Sequence, residues 1–253
     1  MGAFFSLSEV MKMMTIKNKA DIAEIYISGD IIDDDEGSWI EEFRFGNTTG
    51  YEFPAKLKEQ LDAVKDKPLE IHINSQGGSV FAGVAMANLI ANHKPKTTAI
   101  VDGIAASIAS QIFFSANECK IPSNAYVMIH RPFSLLEGNA DDLRKAAEIL
   151  DTLQEGLETT LRKKAREGVS NEDIHAMFNT ETWLTGTETA EKFKVTLLDP
   201  LNVINCAASK RKMYFKNIPT NIKFFDTHLN SDDEEKIKIA LIKADSLFYT
   251  KEK

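Results

Sequence analysis

Runs of apolar residues typical of strands alternate along the first half of the chain with apolar residues at the spacing typical of helices. Four short runs rich in β-branched residues predict strands: residues 24–28, 69–73, 97–101 and 125–129. Between them, apolar residues at three- and four-residue steps predict helices over 53–64 and 80–90, and a small-residue stretch predicts a third helix over 105–116. This alternation indicates an α/β domain with a largely parallel sheet and helices on its faces.

The second half begins with one long amphipathic helix. Leucine and alanine recur every three or four residues over 141–166, and we expect the helix to start at Asn139 or Asp141 and to end at Gly168. The acidic run 33–36 and the glycine-rich run 46–50 predict loops. Beyond Pro200 the pattern weakens.

Three regions follow from these patterns. Residues 1–20 form an N-terminal segment, residues 21–200 form the α/β domain with its long helix at about 139–168, and residues 201–253 form a C-terminal extension. No internal repeat is present in the sequence.

Composition and charge exclude several classes of function. A net charge of -8 over 253 residues disfavours a nucleic-acid binder, which needs a basic face. No run approaches the roughly 20 apolar residues that span a bilayer, and charged residues interrupt the N-terminal segment, so we expect a cytoplasmic protein. Two cysteines predict neither a disulfide framework nor a zinc site. The histidines outside the candidate site below lack metal-ligand spacing and are expected at the surface or in strands: His72, His93, His175 and His228.

Ser107 lies where a predicted strand meets a predicted helix, in the sequence Gly103-Ile-Ala-Ala-Ser107. Free backbone N–H groups at a helix start can stabilise an oxyanion, and small neighbours leave room for a substrate carbonyl. A serine before a helix is, however, far more often an N-cap than a nucleophile. His130 ends the next strand, on the sheet edge where ligands of α/β proteins gather, and could serve as a general base or as a local hydrogen-bonding group.

A pair of glycines, Gly77 and Gly78, follows an earlier strand. Their backbone freedom allows a close approach to a bound chain, so one of their N–H groups could complete an oxyanion hole with that of Ile108; a tight turn is the alternative. No Lys-Ser or Lys-Thr follows the glycines, so the segment is not a nucleotide-binding loop.

Three sequence blocks together resemble the Clp protease proteolytic subunit, in content, order and spacing. They are Ile73-Asn-Ser-Gln-Gly-Gly78, Gly103-Ile-Ala-Ala-Ser107 and Met128-Ile-His-Arg-Pro132. The resemblance extends over residues 25–199 and implies a Clp-protease/crotonase-like spiral of βαβ units with a protruding helical handle.

The resemblance also implies roles for particular residues. Ser107 matches the nucleophile, His130 the base, and Gly78 and Ile108 the oxyanion-hole donors. The third triad position, usually an Asp, is Glu181 here, and Asp173 is the alternative carboxylate. Gln76 replaces the usual proline of its block.

The expected function is that of a serine endopeptidase with a Ser-His-acid triad and no cofactor or metal. The resemblance implies protein or peptide substrates and a homo-oligomeric ring, a heptamer or stacked rings, and allows for an ATP-dependent unfoldase as partner. Departures such as Gln76 and the C-terminal extension resemble the prophage branch, whose members process capsid or scaffold proteins. The alternatives are a catalytically silent ring-forming assembly protein and a crotonase-like acyl-CoA enzyme.

Overall fold

The computed structural model describes residues 16–18, 21–43, 48, 50–200 and 215–219. The predicted N-terminal segment and C-terminal extension therefore lie largely outside the described residues, as do Cys206 and His228. Nine strands and seven helices are present within the described part of the chain.

The strands and helices follow one another as the alternating pattern predicts. The strands are β1 (Ile16–Asn18), β2 (Ala23–Ile31), β3 (Tyr51–Glu52), β4 (Leu69–Gly78), β5 (Thr97–Ala106), β6 (Glu118–Pro122), β7 (Tyr126–Ile129), β8 (Thr182–Thr185) and β9 (Thr196–Leu198). The helices are α1 (Asp34–Phe43), α2 (Pro54–Ala63), α3 (Val80–Asn92), α4 (Ile108–Ser115), α5 (Ala140–Lys164), α6 (Asn171–Asn179) and α7 (Gly186–Lys192).

All nine strands belong to one sheet, whose main path runs β1-β2-β4-β5-β6-β9. From β2 onward the pairs on this path are parallel, because a helix or a longer connection returns the chain to the same end of the sheet. Beyond the end of β6, β5 pairs instead with β7, which in turn pairs antiparallel with β8. The α/β class predicted from the sequence is confirmed.

The main core lies between the sheet and the helices α3 and α4. Every residue from Ile108 to Phe114 is buried, because α4 is enclosed by the sheet on one side and by α3 and α5 on the other. A mostly apolar helix of this kind belongs inside a protein, and its burial leaves its first turn fixed in place. That first turn adjoins the candidate site.

The long helix α5 projects from this core as the predicted handle. Its first turn is closed by a capping box in which Asn139 and Asp142 exchange hydrogen bonds, so the start expected at Asn139 is confirmed. The buried residues of the helix all lie in its second half: Gln154, Leu157, Glu158 and Leu161. Leu143 and Ile149, in the first half, are exposed.

Three sequence-based boundaries were wrong. The acidic run 33–36 was expected to be a loop, but residues from Asp34 onward form α1. Three carboxylates in its first turn stabilise the helix by interacting with the positive end of its dipole. The helix expected from residue 105 starts at Ile108, because β5 continues to Ala106 through its pairing with β7. The helix α5 ends at Lys164, four residues before Gly168, which has a positive φ of 92° in the following turn.

Gly186 provides a test of the packing between α7 and β6. A Cβ atom added there would lie 2.0 Å from the backbone oxygen of Pro122, whereas one added at Gly156, on the exposed side of α5, would meet no atom within 4 Å. We expect Gly186→Ala to lower the free energy of unfolding by about 2 kcal/mol, since the backbone must move. Gly156→Ala should instead raise it by about 1 kcal/mol, the helix-propensity difference.

Urea-induced unfolding followed by circular dichroism measures both variants. Equal stability of the Gly186→Ala variant and the wild-type protein would contradict the close approach of α7 to β6.

Candidate active site

Ser107 stands between β5 and α4 in a conformation that serine rarely adopts. Its backbone has φ 54° and ψ −129°, and its N–H donates to the carbonyl of Met128 at 2.9 Å. A non-glycine residue with such dihedral angles is strained, and a strained turn between strand and helix is the setting in which α/β hydrolases present a nucleophile.

The hydroxyl of Ser107 does not cap the helix that follows it. The residue occupies the N-cap position of α4, yet its side chain makes no capping hydrogen bond. Its Oγ lies 2.7 Å from Nε2 of His130 instead. The helix-cap interpretation, which is the commoner one for a serine at such a junction, therefore does not apply here.

The pairing of β5 with β7 brings Ser107 and His130 together. Ala106, the last residue of β5, pairs with Met128, which is next to the end of β7. Ser107 and His130 directly follow these two strands and therefore lie close to each other. The imidazole of His130 is half-buried, with the rings of Phe133 and Phe215 edge-on at centroid distances of 5.9 and 5.8 Å. Burial lowers the pKa of His130 below its ordinary value, and the negative charge of Glu181 opposes that effect. The imidazole is therefore neutral at neutral pH, the state in which it can accept a proton.

The glycine pair lies against the same turn. Gly77, with φ 93°, approaches the turn so closely that a Cβ atom would lie 2.7 Å from the carbonyl oxygen of Ala106 and 3.1 Å from the nitrogen of Ile108. Gly78 packs on β2, where a Cβ atom would lie 1.8 Å from the oxygen of Ile31. Only glycine fits at either position, because both residues lie against the protein's own backbone. The close approach to a bound chain stays a prediction.

Glu181 lies next to His130 but directs its carboxylate elsewhere. It directly precedes β8, whose Thr182 pairs with Ile129, so residues 181 and 130 are neighbours across the ladder. Glu181 itself has a positive φ of 51°. Among the hydrogen bonds of the described residues, none joins its carboxylate to His130, on which it acts through its charge.

The carboxylate of Glu181 instead binds the segment 215–219. Its Oε1 accepts hydrogen bonds of 2.7 Å from the backbone N–H groups of both Lys216 and Asn217, and a longer one of 3.3 Å from the indole of Trp183. Asn217 also donates from its side chain to the carbonyl of Thr180 at 2.9 Å. The segment 215–219 thus lies against the candidate site, with the Phe215 ring contacting that of His130.

Asp173, the alternative carboxylate, has a structural position. It forms the capping box of α6 with Ser170, and the hydrogen bonds from the Ser170 backbone and hydroxyl hold the pKa of its carboxyl below the usual value. The hydrogen bonds of this carboxylate therefore stabilise the start of α6.

A small pocket opens beside the Ser107 hydroxyl. Its volume is about 10 Å³, roughly what a single water molecule needs. Its lining comes from α3, α4, β7, α5 and α6: Val80, Ser107, Ile108, Ser110, Gln111, Ile129, His130, Pro132, Leu157 and Phe178. The sequence analysis identified three of these, Ser107, Ile108 and His130, as site residues but did not single out Gln111.

Two contributions to the site were missed by the sequence analysis. The segment 215–219 lies beyond the predicted domain and carries no periodic pattern, so no local signal places it at the site. Gln111 follows Ser107 by four residues, one helical turn, and its long polar side chain in a mostly apolar helix is the signal that could have identified it.

Neither metal ligands nor membrane spans are found in the described part of the chain. No group of three or more His, Cys, Asp and Glu side chains there could hold a metal ion. No helix among the described residues is long and apolar enough to cross a bilayer.

Burial raises the pKa of the Cys119 thiol to about 11, which keeps it protonated and unreactive at neutral pH.

A strained serine hydrogen-bonded to a half-buried histidine at the edge of a parallel sheet is the arrangement that α/β serine hydrolases use. Residues 55–193 match the family model described as Clp protease, and this match spans more than half of the chain. The chain therefore belongs to the Clp protease family, and the resemblance and the Clp-protease-like α/β fold expected from its sequence blocks are confirmed. Membership supports a peptidase that acts on protein substrates.

The charge of Glu181 gives a measurable prediction for His130. Replacing Glu181 with Gln removes the negative charge that opposes the effect of burial, so the pKa of His130 should fall further below its ordinary value. Titration of the imidazole by NMR, with the resonance assigned by its loss in His130→Ala, measures the shift.

Glu191→Gln is the matched control, because it removes the same charge from an exposed position on α7. It should leave the pKa of His130 unchanged. A rise in the pKa of His130 in Glu181→Gln would contradict the placement of Glu181.

Proposed function

We propose that the protein is a serine endopeptidase in which Ser107 is the nucleophile and His130 its general base. The observation that carries the proposal is the 2.7 Å contact between Ser107 Oγ and His130 Nε2, made by a serine whose hydroxyl has no capping role. The half-buried, neutral imidazole is in the protonation state that a base requires.

The reaction proceeds through an acyl-enzyme. Ser107 Oγ forms a bond to the carbonyl carbon of the scissile peptide while His130 Nε2 takes the hydroxyl proton. The C–N bond then breaks, and the imidazolium returns that proton to the leaving amine. A water molecule, deprotonated by His130 in the same way, attacks the ester, and the carboxylic acid leaves as the serine regains its proton.

Backbone N–H groups of Gly78 and Ile108 are proposed to stabilise the oxyanion. Ile108 is the first residue of α4. The N–H groups of a first helical turn have no partner within the helix and form the positive end of its dipole. The close approach of Gly77 to the Ile108 nitrogen brings the glycine pair to this helix start. Such donors are worth on the order of 10²–10³ in turnover each.

Glu181 is proposed as the third member of the triad, acting through charge. A negative charge beside His130 stabilises the imidazolium that forms when the Ser107 proton is transferred. Its hydrogen bonds to the backbone of Lys216 and Asn217 hold the carboxylate in place beside the site.

A ring-shaped, self-compartmentalised assembly of identical subunits is also part of the proposal. Several large apolar side chains are exposed on the handle and on the chain leading to it: Phe133, Leu135, Leu136, Leu143 and Ile149. Apolar surface of this kind is typical of an interaction site. The proposal also includes a cytoplasmic location, which the sequence pattern favours, and an ATP-dependent unfoldase as partner, for which the family resemblance allows. Capsid or scaffold proteins are the proposed substrates, because the departures of this chain resemble the prophage branch.

Native mass spectrometry tests the assembly. The expected result is one species whose mass is a whole multiple of the subunit mass, a heptamer or two stacked heptamers. A monomer at micromolar concentration would contradict the ring, and Leu135→Asp combined with Leu136→Asp should shift a ring toward smaller species.

Ser107→Ala tests the chemistry. Turnover of a casein or peptide substrate should fall by about 10⁴–10⁶-fold, the loss typical of triad serines. Ser115→Ala is the matched control, since Ser115 lies on the same helix and its hydroxyl only bonds the Ile112 carbonyl at 2.7 Å. Activity in the control should remain at the wild-type level.

Labelling with a fluorophosphonate separates the proposal from its rivals. The probe should modify Ser107 in the wild-type protein and in Ser115→Ala, and no residue in Ser107→Ala. A protein that forms rings but is neither labelled nor active would be a silent assembly protein. An unlabelled protein that converts acyl-CoA esters would be a crotonase-like enzyme.

A further inference from the structure

The ring of Phe215 reaches the imidazole of His130 from a part of the chain beyond the family match. Its centroid lies 5.8 Å from that of His130 and 5.7 Å from that of Trp183, and it meets both rings edge-on. Edge-on contacts within about 7 Å are a favourable geometry for aromatic pairs. The half-buried ring also packs on an apolar cluster of β5 and β7 made up of Ile104, Ala106 and Met128.

The two residues after Phe215 are tied to the start of β8. The backbone N–H groups of Lys216 and Asn217 each donate to Glu181 Oε1 at 2.7 Å, and the Asn217 side chain donates to the carbonyl of Thr180 at 2.9 Å. Thr180 and Glu181 directly precede β8, which pairs with β7. Hydrogen bonds therefore hold the Phe215 ring against the ladder that ends at the candidate base.

The imidazole of His130 has few polar contacts that could fix its orientation. Within the described part of the chain, its one hydrogen bond is the 2.7 Å contact between Nε2 and Ser107 Oγ. In a serine hydrolase triad the carboxylate bonds the other nitrogen, Nδ1, and thereby orients the ring. The carboxylate of Glu181 is bound to the segment 215–219 instead, so the orientation of His130 depends on packing. Phe133 also meets the imidazole edge-on, but it is 46% exposed.

We propose that Phe215 is a positioning residue that keeps the His130 imidazole aligned with Ser107 Oγ. It performs the orienting part of the role that the third triad member has in other serine hydrolases, while Glu181 performs the electrostatic part. The inference rests on the proposed function, because it requires His130 to be the general base. Alignment matters because a displacement of about 1 Å in a catalytic group can cost on the order of 10²-fold in rate.

Phe215→Ala removes the ring and tests the proposal. With active sites counted by fluorophosphonate titration, we expect kcat per labelled site to fall by about tenfold or more, and KM to change by less than about twofold, because the base is misaligned. Phe215→Leu keeps most of the apolar volume and should restore kcat to within about threefold of the wild-type value. Phe43→Ala is the matched control, since it removes a ring that stacks on Trp39, at a centroid distance of 5.0 Å, and should keep the wild-type kcat.

The pKa of His130 distinguishes positioning from mere structural support. Loss of the Phe215 ring lets water reach the imidazole, so its pKa should rise toward the ordinary value. The acidic limb of the kcat/KM profile should move to higher pH accordingly, because the protonated imidazole cannot act as a base. A ring needed only for folding would lower the number of labelled sites but leave kcat per site and the pKa unchanged.

The outcomes separate this inference from the proposed function. If the wild-type protein is active and labelled at Ser107, a Phe215→Ala variant with the wild-type kcat per site, or with the wild-type pKa of His130, overturns the role of Phe215 alone. Protein that cleaves no peptide and resists the fluorophosphonate overturns both proposals. If Phe215→Ala does not fold, the wild-type protein still decides: we expect a nuclear Overhauser effect between the Phe215 and His130 rings, and its absence overturns the inference.

Discussion

The short ladder between β5 and β7 is the constraint on which the site depends. Its three residue pairs end at Ala106 and Met128, and the N–H of Ser107 extends it by one more hydrogen bond, to the carbonyl of Met128. This pairing carries the chain past the end of β6 and sets the first turn of α4 beside the end of β7. The Ser107–His130 contact is thus fixed by backbone hydrogen bonds, which do not depend on the side chains concerned.

Burial and charge act in opposite directions on the histidine at this junction. The packing that holds His130 in place removes water from its ring and disfavours the imidazolium, while Glu181 supplies a compensating negative charge. The aromatic rings of Phe133 and Phe215 add to the exclusion of water. The site therefore combines a base that is neutral at rest with a neighbour that favours its protonated form during proton transfer.

The sequence predicted the parts of this arrangement that depend on local pattern. The parallel strands and the helices between them follow from the spacing of the apolar residues. The sequence blocks that contain Ser107 and His130 are contiguous, so they can be recognised without knowing their contacts. The region after the handle was harder to predict, because β8 and β9 are short strands whose placement is decided by pairing with β7 and β6. The partners of Glu181 could not be predicted at all, since 35 residues separate it from Lys216 and nothing in either segment encodes their contact.

That contact ties residue 181 to a part of the chain beyond the family match, which ends at residue 193. A glutamate side chain is one methylene longer than an aspartate, so the carboxylate of an aspartate at 181 would be drawn back from the N–H groups of residues 216 and 217. The length of the acid at 181 and the position of the segment 215–219 are therefore matched to each other in this chain. Replacing Glu181 alone would leave the N–H groups of residues 216 and 217 without their acceptor, and replacing the segment alone would leave the carboxylate without these donors.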